Sequence, residues 1–158
     1  MSRNQQFSDK VRQCLNILND DLESVLKQLV EYDYPQEVSC LSFEIFVDGF
    51  TQGFPVNCFF MDSGNTEYFE YVDGKAKYPS PVDSALLQIE SVYPEELEEE
   101  FEDIEDDLWN ISTQEMIGWF SERWLSVGGD KFTKDANIAP HDSIHEFNLI
   151  NSRWQQSK

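Results

Sequence analysis

Residues 95–107 read EELEEEFEDIEDD, and ten of these thirteen positions are carboxylates with no basic residue among them. The exceptions are Leu97, Phe101 and Ile104, and Leu108 follows. These four apolar positions recur at intervals of four, three and four, which is one stripe along an α-helix. A disordered acidic tail has no reason to keep such a stripe. The spacing therefore predicts a helix docked by one face, with a continuous anionic surface on the other. That surface holds half of the formal net charge of −20. It favours a basic partner and repels a polyanion such as nucleic acid.

The rest of the chain can support a folded body for this helix. Its 158 residues are 40% hydrophobic and 14% aromatic, too apolar for a disordered chain even at this charge. One domain spanning 1–158 is expected, with its ordered part at about 7–154. Self-repulsion should make the fold more stable in salt. The first residues lack the apolar stretch of a signal peptide. No apolar run nears the roughly 20 residues that span a bilayer. The expectation is a cytoplasmic protein with no membrane attachment. Cys14, Cys40 and Cys58 are odd in number and form no CxxC pair, so free thiols are expected. Asn110, Ile111 and Ser112 match a glycosylation sequon, which has no consequence in the cytoplasm.

Residues 8–32 carry Val11, Leu15, Leu18, Leu22, Val25 and Leu29 at alternating spacings of four and three. That predicts one helix, capped by Ser8 or Asp9 and ended by Pro35. Residues 38–49 switch to period two, with Leu41, Phe43, Ile45 and Val47 on one side, a half-buried strand. A strand at 56–62 is apolar on both sides and reads as central. Strands at 66–72 and 75–78, joined by the Asp73–Gly74 turn, would complete an antiparallel meander. A short helix is expected at 83–92, interrupted by Pro94 before the acidic helix. Ser112 and Glu115 have the spacing of a capping box, predicting a helix from there to about Val127. Met116, Ile117, Phe120, Trp124 and Val127 would line its packed side, and Gly128 and Gly129 stop it. Residues 144–150 alternate as a last strand, with Gln155 and beyond frayed. The fold class is α+β: an antiparallel sheet of about four to five strands, packed with an N-terminal helix and two to three later helices.

Catalytic signatures are weak. His141 and His145 stand four apart but do not form an HExxH motif, and Pro140 favours loop and strand over helix. No metal or cofactor is expected. No nucleophile elbow, phosphate loop or calcium-loop pattern occurs, and the eleven Lys and Arg are scattered. Direct nucleic-acid binding is therefore not expected.

The residues expected to meet a partner are Glu95, Glu96, Glu98, Glu99, Glu100, Glu102, Asp103, Glu105, Asp106 and Asp107. Trp109 and Trp119 are candidate apolar anchors. A solvated helix face is the ordinary alternative, but such faces mix both signs, and no Lys or Arg lies between Lys77 and Arg123. Like charges at i, i+4 cost a few tenths of a kcal/mol per pair. A cationic partner would offset them. The role expected is a noncatalytic binding protein that neutralises a basic protein. Its most concrete form is a bacterial immunity or inhibitor protein against a cationic toxin such as a nuclease. A DNA mimic is the second reading, and an enzyme of unrecognised type using His141 or His145 the third. The oligomeric state is left open.

Overall fold

The computed structural model describes residues 1–83 and 85–158. The α+β class is as expected, but the N-terminal stripe is carried by two helices. Helix α1 is Arg3–Asn16 and α2 is Asn19–Glu31. The first is capped by Ser2, whose Oγ accepts from the Gln5 amide at 3.1 Å, ahead of the expected caps Ser8 and Asp9. The break at Ile17 and Leu18 leaves the stripe in phase: Leu15 and Leu22, seven residues apart, are both fully buried. Periodicity alone could not reveal it. Asn16 and Asn19, both weak helix formers, flank the break. Asn19 Oδ1 accepts from the Trp119 indole at 2.6 Å.

Strands β1 (Cys40–Ile45) and β2 (Val56–Met61) pair antiparallel. The sheet they begin has the order β2-β1-β5-β6-β7, with β5 at Asp135–Pro140, β6 at His145–Asn148 and β7 at Arg153–Gln156. Three sequence expectations are corrected here. The strand at 56–62 is an edge, not the centre. The sheet is mixed, because β1 and β5 run parallel, with Phe43 opposite Ile138. Beyond Trp154 the chain does not fray: β7 continues to Gln156, and the Ser157 amide reaches Ile144 O at 2.9 Å.

Strands β3 (Glu70–Val72) and β4 (Lys75–Lys77) form their own two-stranded sheet. Isolated Met61–Glu67 and Asn57–Ala85 bridges flank the β2 edge. A meander continuous with the main sheet is therefore absent among the described residues. The helix expected at 83–92 falls partly on Ser84, outside the described residues; 85–92 is irregular.

Helix α4 is Leu108–Ser126. Its cap is Asp107, five residues before the expected cap Ser112, and Asp107 Oδ1 accepts from the Trp109 amide at 3.0 Å. Ser112 and Glu115 lie inside the helix and face other elements. Ser112 is fully buried against Tyr93. Glu115 accepts from Ser8 Oγ at 2.5 Å and from Arg12 Nε at 2.9 Å. The predicted packed side is correct in its main members: Met116, Ile117, Phe120 and Trp124 are buried. The helix stops as expected, with Gly128 left-handed at φ 82°.

The core lies between the helices and one face of the sheet. Leu41, Phe43 and Ile45 point into it with no exposed surface. Phe43 meets Phe120 and Trp124 at centroid distances of 4.9 and 5.8 Å. Burial of each such side chain contributes about 1.5–3 kcal/mol. The other face carries Cys40, Ser42 and Glu44 on β1, Phe59 and Met61 on β2, and Asn137 and Ala139 on β5. These line an open concavity.

Candidate functional site

The acidic segment does not form one helix. Helix α3 spans Glu95–Glu100, and at Phe101 the backbone leaves helical geometry (φ −111°). Early carboxylates sit well near the positive N-terminal end of a helix, but later ones meet its negative end, and the segment has no cation to relieve them. The apolar residues then dock through turns instead of along one axis. Phe101 is fully buried, and Ile104 and Leu108 pack at the edge of the core. Phe101 lies 5.4 Å from Phe7 by ring centroids. The Arg3 guanidinium sits 4.2 Å above its ring, and the Lys10 ammonium 5.6 Å away.

Five of the ten carboxylates are engaged within the fold. Asp103 accepts from Arg3 Nη2 at 2.9 Å, and this bond holds its pKa below the usual carboxylate range. Glu100 pairs with Lys10 at 3.2 Å. Asp106 accepts from the Asn4 amide group. Glu98 accepts from the Tyr93 hydroxyl at 2.7 Å and from the Trp109 indole at 3.4 Å. Asp107 caps α4. Glu95, Glu96, Glu99, Glu102 and Glu105 are exposed. The run is a strap, fastened to α1 and α4 by half of its acids and presenting the other half to solvent.

The two tryptophans separate. Trp119 is fully buried, with its indole on Asn19, and is removed as an anchor. Trp109 is 43% exposed in the first turn of α4, beside the strap.

The two histidines also separate. His145 is exposed at the start of β6. His141, in the turn after β5, stacks on Phe46 at 4.9 Å. Its Nδ1 bonds Glu44 Oε2 at 2.9 Å, and its Nε2 lies 3.4 Å from Asp142. The Glu44 bond raises the imidazole pKa against the opposing effect of desolvation, and the charges of Asp142 and Glu44 add to the rise. Both ring nitrogens are thus turned to carboxylates and neither to a nucleophile. No group of three metal-ligating side chains converges among the described residues. The three cysteines are free and half-buried. Burial, then the charges of Asp135 and Glu146, push the Cys40 thiol up to about 12.

Sequence reading did not find the concavity on the open sheet face. It holds about 400 Å³ and is lined by polar and apolar side chains together. Ser42 Oγ donates to Asn137 Oδ1 at 3.2 Å, and Asn137 Nδ2 to Cys40 Sγ at 3.3 Å. Behind the lining residue Glu146, Gln155 Nε2 donates to Glu146 Oε2 at 2.6 Å, and Asn148 Nδ2 links Gln155 to Asp135. Its walls come from turns near residues 62–65 and 141–143 and from Ser157 and Lys158. The available signal was the run of polar residues at alternate positions on β5 and β6, Asn137, Glu146 and Asn148. These are buried although hydrophilic.

Among the described residues no helix is long and apolar enough to cross a membrane. Compared with known proteins, the chain matches no family model, no curated protein and no solved structure.

Proposed function

We propose that this protein is a noncatalytic acidic binding protein that captures a basic protein. Its most concrete form is a cytoplasmic immunity or inhibitor protein that covers the substrate surface of a cationic toxin such as a nuclease. The observation that carries the reading is the exposed Trp109 set beside the strap. An aromatic anchor inside a charged rim is the usual arrangement of a protein-binding hot spot. The five free carboxylates would steer a cationic partner and fix its orientation, while Trp109 would supply most of the affinity. Fastening the strap to α1 preorganises it, which lowers the ordering cost of binding.

The DNA-mimic reading asks for many free carboxylates spaced along an extended surface. A six-residue helix followed by turns, with half of its acids turned inward, suits that reading less well. The enzyme reading through His141 has less support, because its Nδ1 is held by Glu44.

The test is capture from native lysate by wild type, by Trp109→Ala, and by a variant with Gln at 95, 96, 99, 102 and 105. The five acids that hold the fold stay intact. One basic protein retained stoichiometrically by wild type and lost by both variants is the expected result. Equal retention by all three overturns the proposal, and capture of many DNA-binding proteins favours mimicry.

A further inference from the structure

We propose that the free sheet edge at β7 pairs with the same edge of a second copy of this chain, joining two sheets into one across a two-fold axis. The inference is independent of the strap and of the function proposed above.

The first argument is the contrast between the two edges of the main sheet. The β2 edge is flanked by the Met61–Glu67 and Asn57–Ala85 bridges, and Phe60 O accepts from the Tyr68 amide at 2.7 Å. The β7 edge is bare. The Ser157 amide bonds Ile144 O at 2.9 Å, so Ser157 turns its backbone toward β6, and Gln155 does the same two residues earlier, opposite Glu146. The amides and carbonyls of Trp154 and Gln156 therefore point away from the sheet, and no backbone group beyond β7 pairs with them among the described residues. An open row of this kind is a template for another strand.

The second argument is the side-chain row that ends there. Phe43, Ile138, Phe147 and Trp154 are successive partners across β1, β5, β6 and β7, on the face that carries the core. Phe43 and Ile138 are fully buried, but Trp154, which packs on Phe147 with ring centroids 5.5 Å apart, is 49% exposed. The apolar row reaches the edge before anything covers it, and a strand added beside β7 extends it.

Charge and register select the occupant. Residues 147–158 contain no Asp or Glu and hold Arg153 and Lys158, in a chain of net charge −20. A basic strand would meet those two cations, and an acidic strand the field of the whole chain. A second copy brings an edge with the same local lack of acids, so two such anionic bodies repel each other least here. The register is self-complementary. Ser152 leaves the strand at φ 58°, and the Lys158 carbonyl is held by Asn65 Nδ2 at 3.2 Å, so the outward groups are those of Trp154 and Gln156. A two-fold axis through Gln155 sets Trp154 opposite Gln156 of the second copy, and Gln156 opposite Trp154 of the second copy. Each pair then exchanges both backbone bonds. The two indoles come to lie diagonally on the core-side face, about 7–8 Å apart along the backbone and within reach of each other. Two residues per edge make a small interface, so the association is weak and grows in at high concentration.

The experiment is sedimentation equilibrium of the full chain from micromolar to millimolar concentration, at low and high salt, with amide hydrogen exchange at both ends of the range. A dimer that grows with concentration and is strengthened by salt is expected, because screening weakens the repulsion between the copies. Capture of a basic partner by the strap is weakened by salt, so either idea can fail while the other stands. Exchange at Trp154 and Gln156 should slow in the dimer, while Gln155 is protected in both states. Gln156→Pro removes an outward donor and no bond to β6. It should weaken the dimer by about tenfold or more, whereas Gln156→Ala, which keeps the amide, should not. The unfolding midpoint of Gln156→Pro at micromolar concentration checks its fold, and the exchange pattern of wild type decides alone if that fold is lost. A monomer at every concentration in high salt overturns the proposal. So does a dimer in which Trp154 and Gln156 exchange as fast as in the monomer, or one that a folded Gln156→Pro forms equally well.

Discussion

Arg3 grips Asp103 across a hundred residues of sequence. Its Nη2 donates to Asp103 Oδ1 at 2.9 Å and also to the Glu100 carbonyl at 2.8 Å. The first turn of the chain therefore fixes the bend of the acidic strap. Because the Asp103 pKa is lowered in the fold, its contribution is present above the ordinary carboxylate range and is lost as pH falls through the lowered value. Arg3→Ala should speed hydrogen exchange at 101–107 and leave the global unfolding midpoint nearly unchanged, since exposed pairs contribute little. Unchanged exchange would mean that Phe101 alone holds the strap.

Tyr93 joins α3 to α4. Its hydroxyl donates to Glu98, so Ser112 Oγ supplies the proton in the 2.8 Å contact between them. Burial raises the phenol pKa strongly. Tyr93→Phe would leave Ser112 buried without that partner, a cost of about 1–3 kcal/mol measured by urea unfolding. Ser112→Ala in the same background should recover part of it.

A methyl group at residue 129 would lie 2.3 Å from Trp124 Nε1, and Trp124 is fully buried. The ring cannot yield without disturbing Phe43 and Phe132, which pack on it at 5.8 and 5.6 Å. Gly129→Ala should cost about 1–3 kcal/mol in denaturant unfolding. A neutral result would show that the 3-10 turn at Gly129–Lys131 shifts freely.

The raised pKa of His141 means that its ion pairing stabilises the fold below the ordinary imidazole value and is lost as pH rises through the raised one. In a proton titration, His141 should lose its charge at a pH above the ordinary imidazole value. Glu44→Gln should bring the His141 titration back toward the ordinary value. If that variant titrates like wild type, Glu44 is not the cause.

Thiol accessibility gives a check on the sheet faces. Cys40 and Cys58 occupy opposite faces of the sheet, and burial raises both thiol pKa values. At neutral pH both should react with iodoacetamide far more slowly than after unfolding. Fast labelling of Cys58 would contradict its place under β2.

Much of the fold was legible because the residues repeat. The alternation of Leu41, Phe43 and Ile45 announces β1, and Met116, Phe120 and Trp124 announce α4. Strand β5 was not legible: DANIAP has no alternating contrast, because its inward Ala136 and outward Asn137 are both buried in the middle of a sheet. Strand β7, RWQQ, is a polar edge with the same silence. Ser112 and Glu115 imitated a cap because sequence spacing cannot tell a helix start from two side chains reaching for Tyr93 and Arg12. The acids of the candidate site were legible by composition. The fastening of Glu100, Asp103 and Asp106 depends on Lys10, Arg3 and Asn4, ninety residues or more away. The cavity was hidden for the same reason, since its walls come from several turns and the last residues.

The parallel pairing of β1 with β5 has a consequence for synthesis on the ribosome. The middle of the sheet is laid down long after its first strand, so β1 waits with an unpaired edge while the 89 residues between Ile45 and Asp135 are translated. Long-range pairing of this kind is slow and leaves nascent chains open to association. Excess negative charge keeps such chains apart during that interval. Stalled translation short of residue 135 would yield not a shortened version of this protein but a hairpin and helices with no central strand to join.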